Sequence, residues 1–84
     1  MHVEIITPDK TLFNGEVDAA TFPGSKGSFQ VLKNHAALIS SLDKGKVILK
    51  TEKQVKEIMV NGGIVEVLKN NIIVLAEEVL EENN

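Results

Sequence analysis

The chain contains no cysteine, tryptophan, tyrosine or arginine. The missing cysteine excludes disulfides and all thiol chemistry. The only aromatics are three phenylalanines, a poor inventory for stacking on bases or sugars. Every positive charge is a lysine, and the net charge is −3. Forked arginine contacts to phosphate are therefore missing and no basic excess exists, which argues against nucleic-acid binding. No apolar run approaches the ~20 residues that a membrane-crossing helix needs. The opening MHVEIITP lacks the basic start and apolar stretch of a signal peptide. These absences point to an intracellular soluble protein that would reach a membrane only through something else.

What remains is 84 residues, 43% hydrophobic and 25% charged. That suits one small globular domain with a thin stability margin and little room for a deep pocket beside its core. The dominant hydrophobic period is two. Val3 and Ile5 alternate with Glu4; Phe29 and Val31 alternate with Ser28 and Gln30; Val47 and Leu49 alternate with Lys46, Ile48 and Lys50. Turn signals punctuate these runs at Pro8-Asp9-Lys10, Asn14-Gly15, Pro23-Gly24, Lys26-Gly27, Lys33-Asn34-His35, Asp43-Lys44-Gly45, Asn61-Gly62-Gly63 and Lys69-Asn70-Asn71. Asn14-Gly15 reads as a tight turn and Asn61-Gly62-Gly63 as a hairpin turn. Many short strands at such spacing predict an all-β antiparallel sandwich or barrel. Residues 1–76 form the expected domain. The acidic end, 77–84, is expected to be a frayed helical turn or a disordered tail.

The residues offer little for catalysis. Gly24-Ser25-Lys26-Gly27-Ser28 looks superficially like a phosphate cradle, but Lys26 precedes its glycine and no helix follows, so tight turns are the better reading. No elbow of the GxSxG type surrounds any serine. His2, beside a flexible terminus, and His35 lack zinc-ligand spacing. His35 is better read as bonded to the backbone of its own turn, or lying at an interface. The carboxylates Glu4, Asp18 and Glu66 fit a solvated sheet face, and Glu77, Glu78, Glu81 and Glu82 a solvating tail. No catalytic, cofactor or metal residues are predicted. A binding role fits better. Small polar side chains in the Phe22–Leu38 segment let a partner backbone approach, and Ala36, Ala37, Leu38 and Ile39 either supply apolar contact or belong to the core.

The ordered motifs TPDKTLFNGEV, FPGSKGSFQVLKNHAAL and VNGGIVEVLKNNIIVLAEE resemble the N-terminal β-sandwich domain of the epsilon subunits of F-type ATP synthases. The likeness spans nearly the whole chain. It departs from the family pattern at Gln30, at Lys33-Asn34 and at Ala37, where Gly, Pro-Gly and Pro are usual; Asn34 can still adopt a positive φ. The resemblance implies a two-sheet sandwich of about ten short strands. It also implies a non-catalytic place in the central rotor, between the gamma subunit and the membrane ring of c subunits, coupling ion flow to ATP synthesis. Ser25, Lys26, Gly27 and Ser28 would face the ring; His35, Ala36 and Leu38 would face gamma. The implied location is peripheral, on the cytoplasmic face of the bacterial inner membrane. Many members continue into a C-terminal helical hairpin with regulatory and ATP-binding roles. The chain stops at Asn84, so neither that brake nor ATP sensing is expected. The alternatives are a stand-alone sandwich that binds protein, or an enzyme with a surface site at His35.

Overall fold

A computed structural model describes residues 1–83, with side chains through Glu78; Asn84 and the side chains of 79–83, part of the acidic end read above, lie outside it. Eight strands follow one another: β1 (His2–Ile6), β2 (Thr11–Glu16), β3 (Ala19–Gly24), β4 (Gly27–Leu32), β5 (Leu38–Lys50), β6 (Val55–Leu68), β7 (Asn71–Ala76) and β8 (Val79–Asn83). They hydrogen-bond in the order β2-β1-β7-β6-β5-β3-β4, with β8 also on β6. All pairings are antiparallel except β1 with β7, which is parallel.

The count falls below ten because two expected breaks are kinks inside long strands. β5 and β6 have 13 and 14 residues and stay in one register from Leu38↔Val67 to Lys50↔Val55. Their inward faces nevertheless change phase. In β5 the buried residues are Leu42, then Val47 and Leu49; in β6 they are Ile58 and Val60, then Val65 and Val67. The slip falls at Asp43-Lys44 on one strand and at Gly62-Gly63 on the other, so it cancels across the ladder. Glycine is required there because φ is +101° at Gly62 and +145° at Gly63, where a Cβ is disfavoured. The ribbon thus has two arms. One (38–42 with 63–68) joins β7, β1 and β2; the other (44–50 with 55–60) joins β8 and β3. The arms stack as two layers over one core that includes Val3, Ile5, Phe22, Val47, Leu49, Ile58, Val65 and Ile72. Phe22 is fully buried and its ring lies 5.6 Å from that of Phe29. Burying such a side chain contributes about 1.5–3 kcal/mol.

Other expectations shift too. Asn14-Gly15 lies within β2, paired to Glu4 and Val3, and the strand ends only at Glu16, with Val17-Asp18 linking it to β3. Pro23-Gly24 does not end its strand; β3 runs through Gly24. The N-terminus is not loose: the Met1 amino group donates to the Val17 carbonyl at 3.2 Å, and His2 Nδ1 lies 2.7 Å from Glu16 Oε2. Val79–Asn83, read as helical turn or tail, is a strand that pairs antiparallel with residues 57–60 of β6.

Candidate functional site

Two polar turns and one apolar face distinguish the surface. The first turn joins β3 to β4. Gly24 pairs with Gly27, so Ser25 and Lys26 alone form the tip. Gly27, the first residue after the tip, takes φ +124°, a conformation that glycine adopts without the penalty of a Cβ. All of Ser25, Lys26, Gly27 and Ser28 are exposed. The tip is tied sideways to β5: the Ser25 N–H donates to the Ser41 carbonyl at 3.0 Å, and the Ser25 hydroxyl donates to Asp43 Oδ1 at 3.1 Å.

The second turn joins β4 to β5. Asn34 takes φ +68° in place of a glycine. The His35 N–H donates back to the Leu32 carbonyl at 3.1 Å, closing the turn. His35 Nδ1 lies 2.7 Å from the Ala36 carbonyl. A carbonyl only accepts, so Nδ1 carries the proton. His35 is therefore bonded to its own turn, as its sequence context suggests. Ala36 is exposed, whereas Leu38 is half-buried and packs against the core.

The structure does not bring the two turns together. Gly24 lies opposite Leu42, while Leu38 opens β5 at the far end of the same arm. Four residues of strand separate these levels, roughly 13 Å of rise.

The apolar face lies between them, on the outer side of β5, β6 and β7. Ladder positions place Ile39, Glu66 and Ile73 in one row and Ser41, Ile64 and Leu75 in the next. Ile39 is 67% exposed, Ile64 42%, Ile73 40% and Leu75 48%. With Glu66 they line a shallow depression of about 180 Å³. An open cleft of about 380 Å³, lined by Ile6, Thr7, Pro8, Leu75, Ala76 and Glu77, continues it. Of this face the sequence singles out only Ile39, within the Ala36–Ile39 stretch expected to supply apolar contact or belong to the core. The signal for the rest was an unbroken apolar run, Ile72 to Ala76, and Ile64 beside Val65. Strands apolar on both sides are covered on both sides.

Among the described residues, no three His, Cys, Asp or Glu side chains gather as a metal site, and no buried side-chain polar atom lacks a partner. His2 and Glu16 form an exposed pair: the Glu16 hydrogen bond holds the His2 pKa above its ordinary value, and His2 holds that of Glu16 below. No described helix is long and apolar enough to cross a membrane.

Two stacked layers of strands with two polar turns and an exposed apolar face define a small β-sandwich domain. Residues 1–82 match the family described as ATP synthase, Delta/Epsilon chain, beta-sandwich domain, and the chain belongs to that family. It is 39% identical over 77 residues to the ATP synthase epsilon chain of Leptospira borgpetersenii, covering 92% of this chain and 61% of that one. It is 42% identical over 78 residues to the epsilon chain of Chlorobaculum tepidum, covering 92% of this chain and 89% of that one. The chain thus spans about three-fifths of some epsilon chains and nearly all of others. The same fold occurs in the central stalk/c-ring structure of the Tetrahymena thermophila mitochondrial ATP synthase (TM-score 0.82, 20% identity, 95% of this chain and 65% of that one). It recurs in the OSCP/F1/c-ring structure of the Euglena gracilis mitochondrial enzyme (TM-score 0.86, 20% identity, 93% and 51%).

Proposed function

We propose that this chain is a non-catalytic rotor part of an F-type ATP synthase, gripped between the gamma shaft and the membrane c-ring so that ion-driven rotation reaches the catalytic head. In this reading it makes and breaks no bond, and it sits at the membrane surface only through the complex. The observation that carries the proposal is the exposed face of Ile39, Ile64, Ile73 and Leu75. Such a patch on a small soluble fold marks an interaction surface. Family membership supports gamma as its partner.

Ala36 and His35 lead directly into Ile39, so the gamma-facing segment and the apolar face form one surface; Leu38 supports it from the core side. Ser25, Lys26, Gly27 and Ser28, at the other level of the arm, face the polar loops of the ring. A close-packed sandwich resists shear between the two contacts because its interior has few voids to yield into. Apolar burial dominates the gamma contact, since exposed lysine–carboxylate pairs contribute about 0–1 kcal/mol each.

The test is capture of gamma from the same cell by tagged chain. Wild type binds, and Ala36→Glu and Ile64→Lys bind weakly with unchanged circular dichroism. Normal binding by both variants would contradict the assignment of this face.

A further inference from the structure

Strand β3 does not stay on one arm of the kinked ribbon. Ala19, Ala20 and Thr21 pair with Lys50, Leu49 and Ile48 on the second arm, whereas Gly24 pairs with Leu42 on the first. Three residues of β3 thus span six of β5, and the excess is the kink itself. Pro23 lies over the kink; a Cβ on Gly45 would fall 2.7 Å from the Pro23 Cβ.

Just beyond this crossing the tip is fastened by a directional chain of hydroxyls. The Ser41 hydroxyl donates to Ser25 Oγ at 2.9 Å, and Ser25 Oγ donates on to Asp43 Oδ1 at 3.1 Å. The Ser41 carbonyl accepts both the Ser25 N–H at 3.0 Å and the Ser40 hydroxyl at 3.0 Å. The Ser25 hydroxyl therefore uses its one proton and accepts one, and the chain ends on a carboxylate, the stronger kind of acceptor. All three side chains are on the surface, so burial does not require them to pair. Hydrophobic packing does not hold the tip either: Lys26, Gly27 and Ser28 are all exposed.

We infer that Ser41 and Asp43 are positioning residues that latch the Ser25–Ser28 tip, across the kink, to the sheet bearing Ile39, Ile64, Ile73 and Leu75. The inference rests on the rotor reading above. A lateral force at Lys26 passes through the latch into the first arm of β5, and from there to the apolar face. Without the latch, the force bends a hairpin whose last ladder pair, Gly24↔Gly27, has no side chains to stiffen it.

The test uses the assembled synthase in ion-tight vesicles, carrying wild type, Asp43→Ala, Asp43→Asn or Ser41→Ala. Asparagine keeps an acceptor oxygen for Ser25 and alanine does not; Ser41→Ala removes only a hydroxyl and guards against misfolding of the other variant. With subunit stoichiometry and ATP hydrolysis in uncoupled vesicles unchanged, Asp43→Ala loses ion-driven ATP synthesis. Backbone amide exchange over residues 22–29 rises by about tenfold, as expected for one or two lost hydrogen bonds. Asp43→Asn restores both, and Ser41→Ala shifts both in the direction of Asp43→Ala. Equal synthesis by wild type and Asp43→Ala overturns the latch and leaves the rotor reading standing. Coupled synthesis by a complex lacking the whole chain overturns the rotor reading and the latch with it.

Discussion

Asn34 and Asn70, 36 positions apart, clasp each other by their amides. The Asn34 N–H donates to Asn70 Oδ1 at 2.7 Å, and Asn70 Nδ2 donates to Asn34 Oδ1 at 2.9 Å. Both residues have positive φ, +68° and +63°, a conformation that asparagine tolerates better than most residues. The clasp ties the β4–β5 turn to the β6–β7 turn and so fixes where His35 and Ala36 lie. Asn70→Gly keeps the backbone conformation and removes both bonds. It is expected to lower stability by about 1 kcal/mol and to speed amide exchange at residues 33–37. Asn70→Asp retains the acceptor for Asn34 but sets an oxygen against Asn34 Oδ1. The expected order of midpoints in urea is wild type, then Asp, then Gly; unchanged exchange at 33–37 in both variants would refute the clasp.

The kink makes a sharper demand on stability. A Cβ on Gly63 would fall 2.3 Å from the Leu75 carbonyl oxygen, at φ +145°. Gly27, at φ +124°, has no atom within 4 Å of that position. Gly63→Ala therefore meets both a steric and a conformational penalty, whereas Gly27→Ala meets only the second. Thermal unfolding is expected to show a loss of about 3 kcal/mol or more for Gly63→Ala and about 1–2 kcal/mol for Gly27→Ala.

The His2–Glu16 pair predicts a pH dependence. The His2 pKa is raised, chiefly by the hydrogen bond to Glu16, so its stabilisation is complete below its ordinary 6.5 and disappears as pH rises through the raised value. Glu16 is lowered, chiefly by His2, so its share is complete above its ordinary 4.5 and disappears as pH falls through the lowered value. The pair stabilises most between those limits. Denaturant unfolding of wild type and Glu16→Gln should differ most between the ordinary values of 4.5 and 6.5, and the difference should narrow as pH rises through the raised His2 value. In Glu16→Gln, the His2 ring resonances should titrate closer to 6.5; an unmoved midpoint would sink the assignment.

Substitutions on the apolar face should separate binding from folding. Ile39 is 67% exposed, so Ile39→Ser is expected to change stability by about 0.5 kcal/mol or less, while reducing binding of a hydrophobic dye and capture of gamma. A large loss of stability would show that Ile39 serves the core instead.

The sequence made the all-β fold legible through its period-two alternation, and the exposed turn at Ser25–Ser28 through its small polar residues. Asn34 also took the positive φ expected of it. The strand count was not legible, because Asn61-Gly62-Gly63 and Asp43-Lys44-Gly45 carry turn-forming residues that here serve a kink. Glycine and short polar residues suit a turn and a phase change alike, and only long-range pairing decides between them. Asn14-Gly15 misleads for the same reason: pairing with β1 keeps it in the ladder. The Ser25–Ser41–Asp43 contacts and the Asn34–Asn70 clasp join positions 16 to 36 residues apart, and no local pattern encodes them.

The central claim, that this chain transmits rotation by being held at two contacts, is tested most directly by ion-driven ATP synthesis in vesicles. Synthase stripped of the chain is compared with synthase to which it has been returned. The account predicts that stripping abolishes gradient-driven synthesis and that adding the purified chain restores it. Full synthesis by the stripped complex would contradict it.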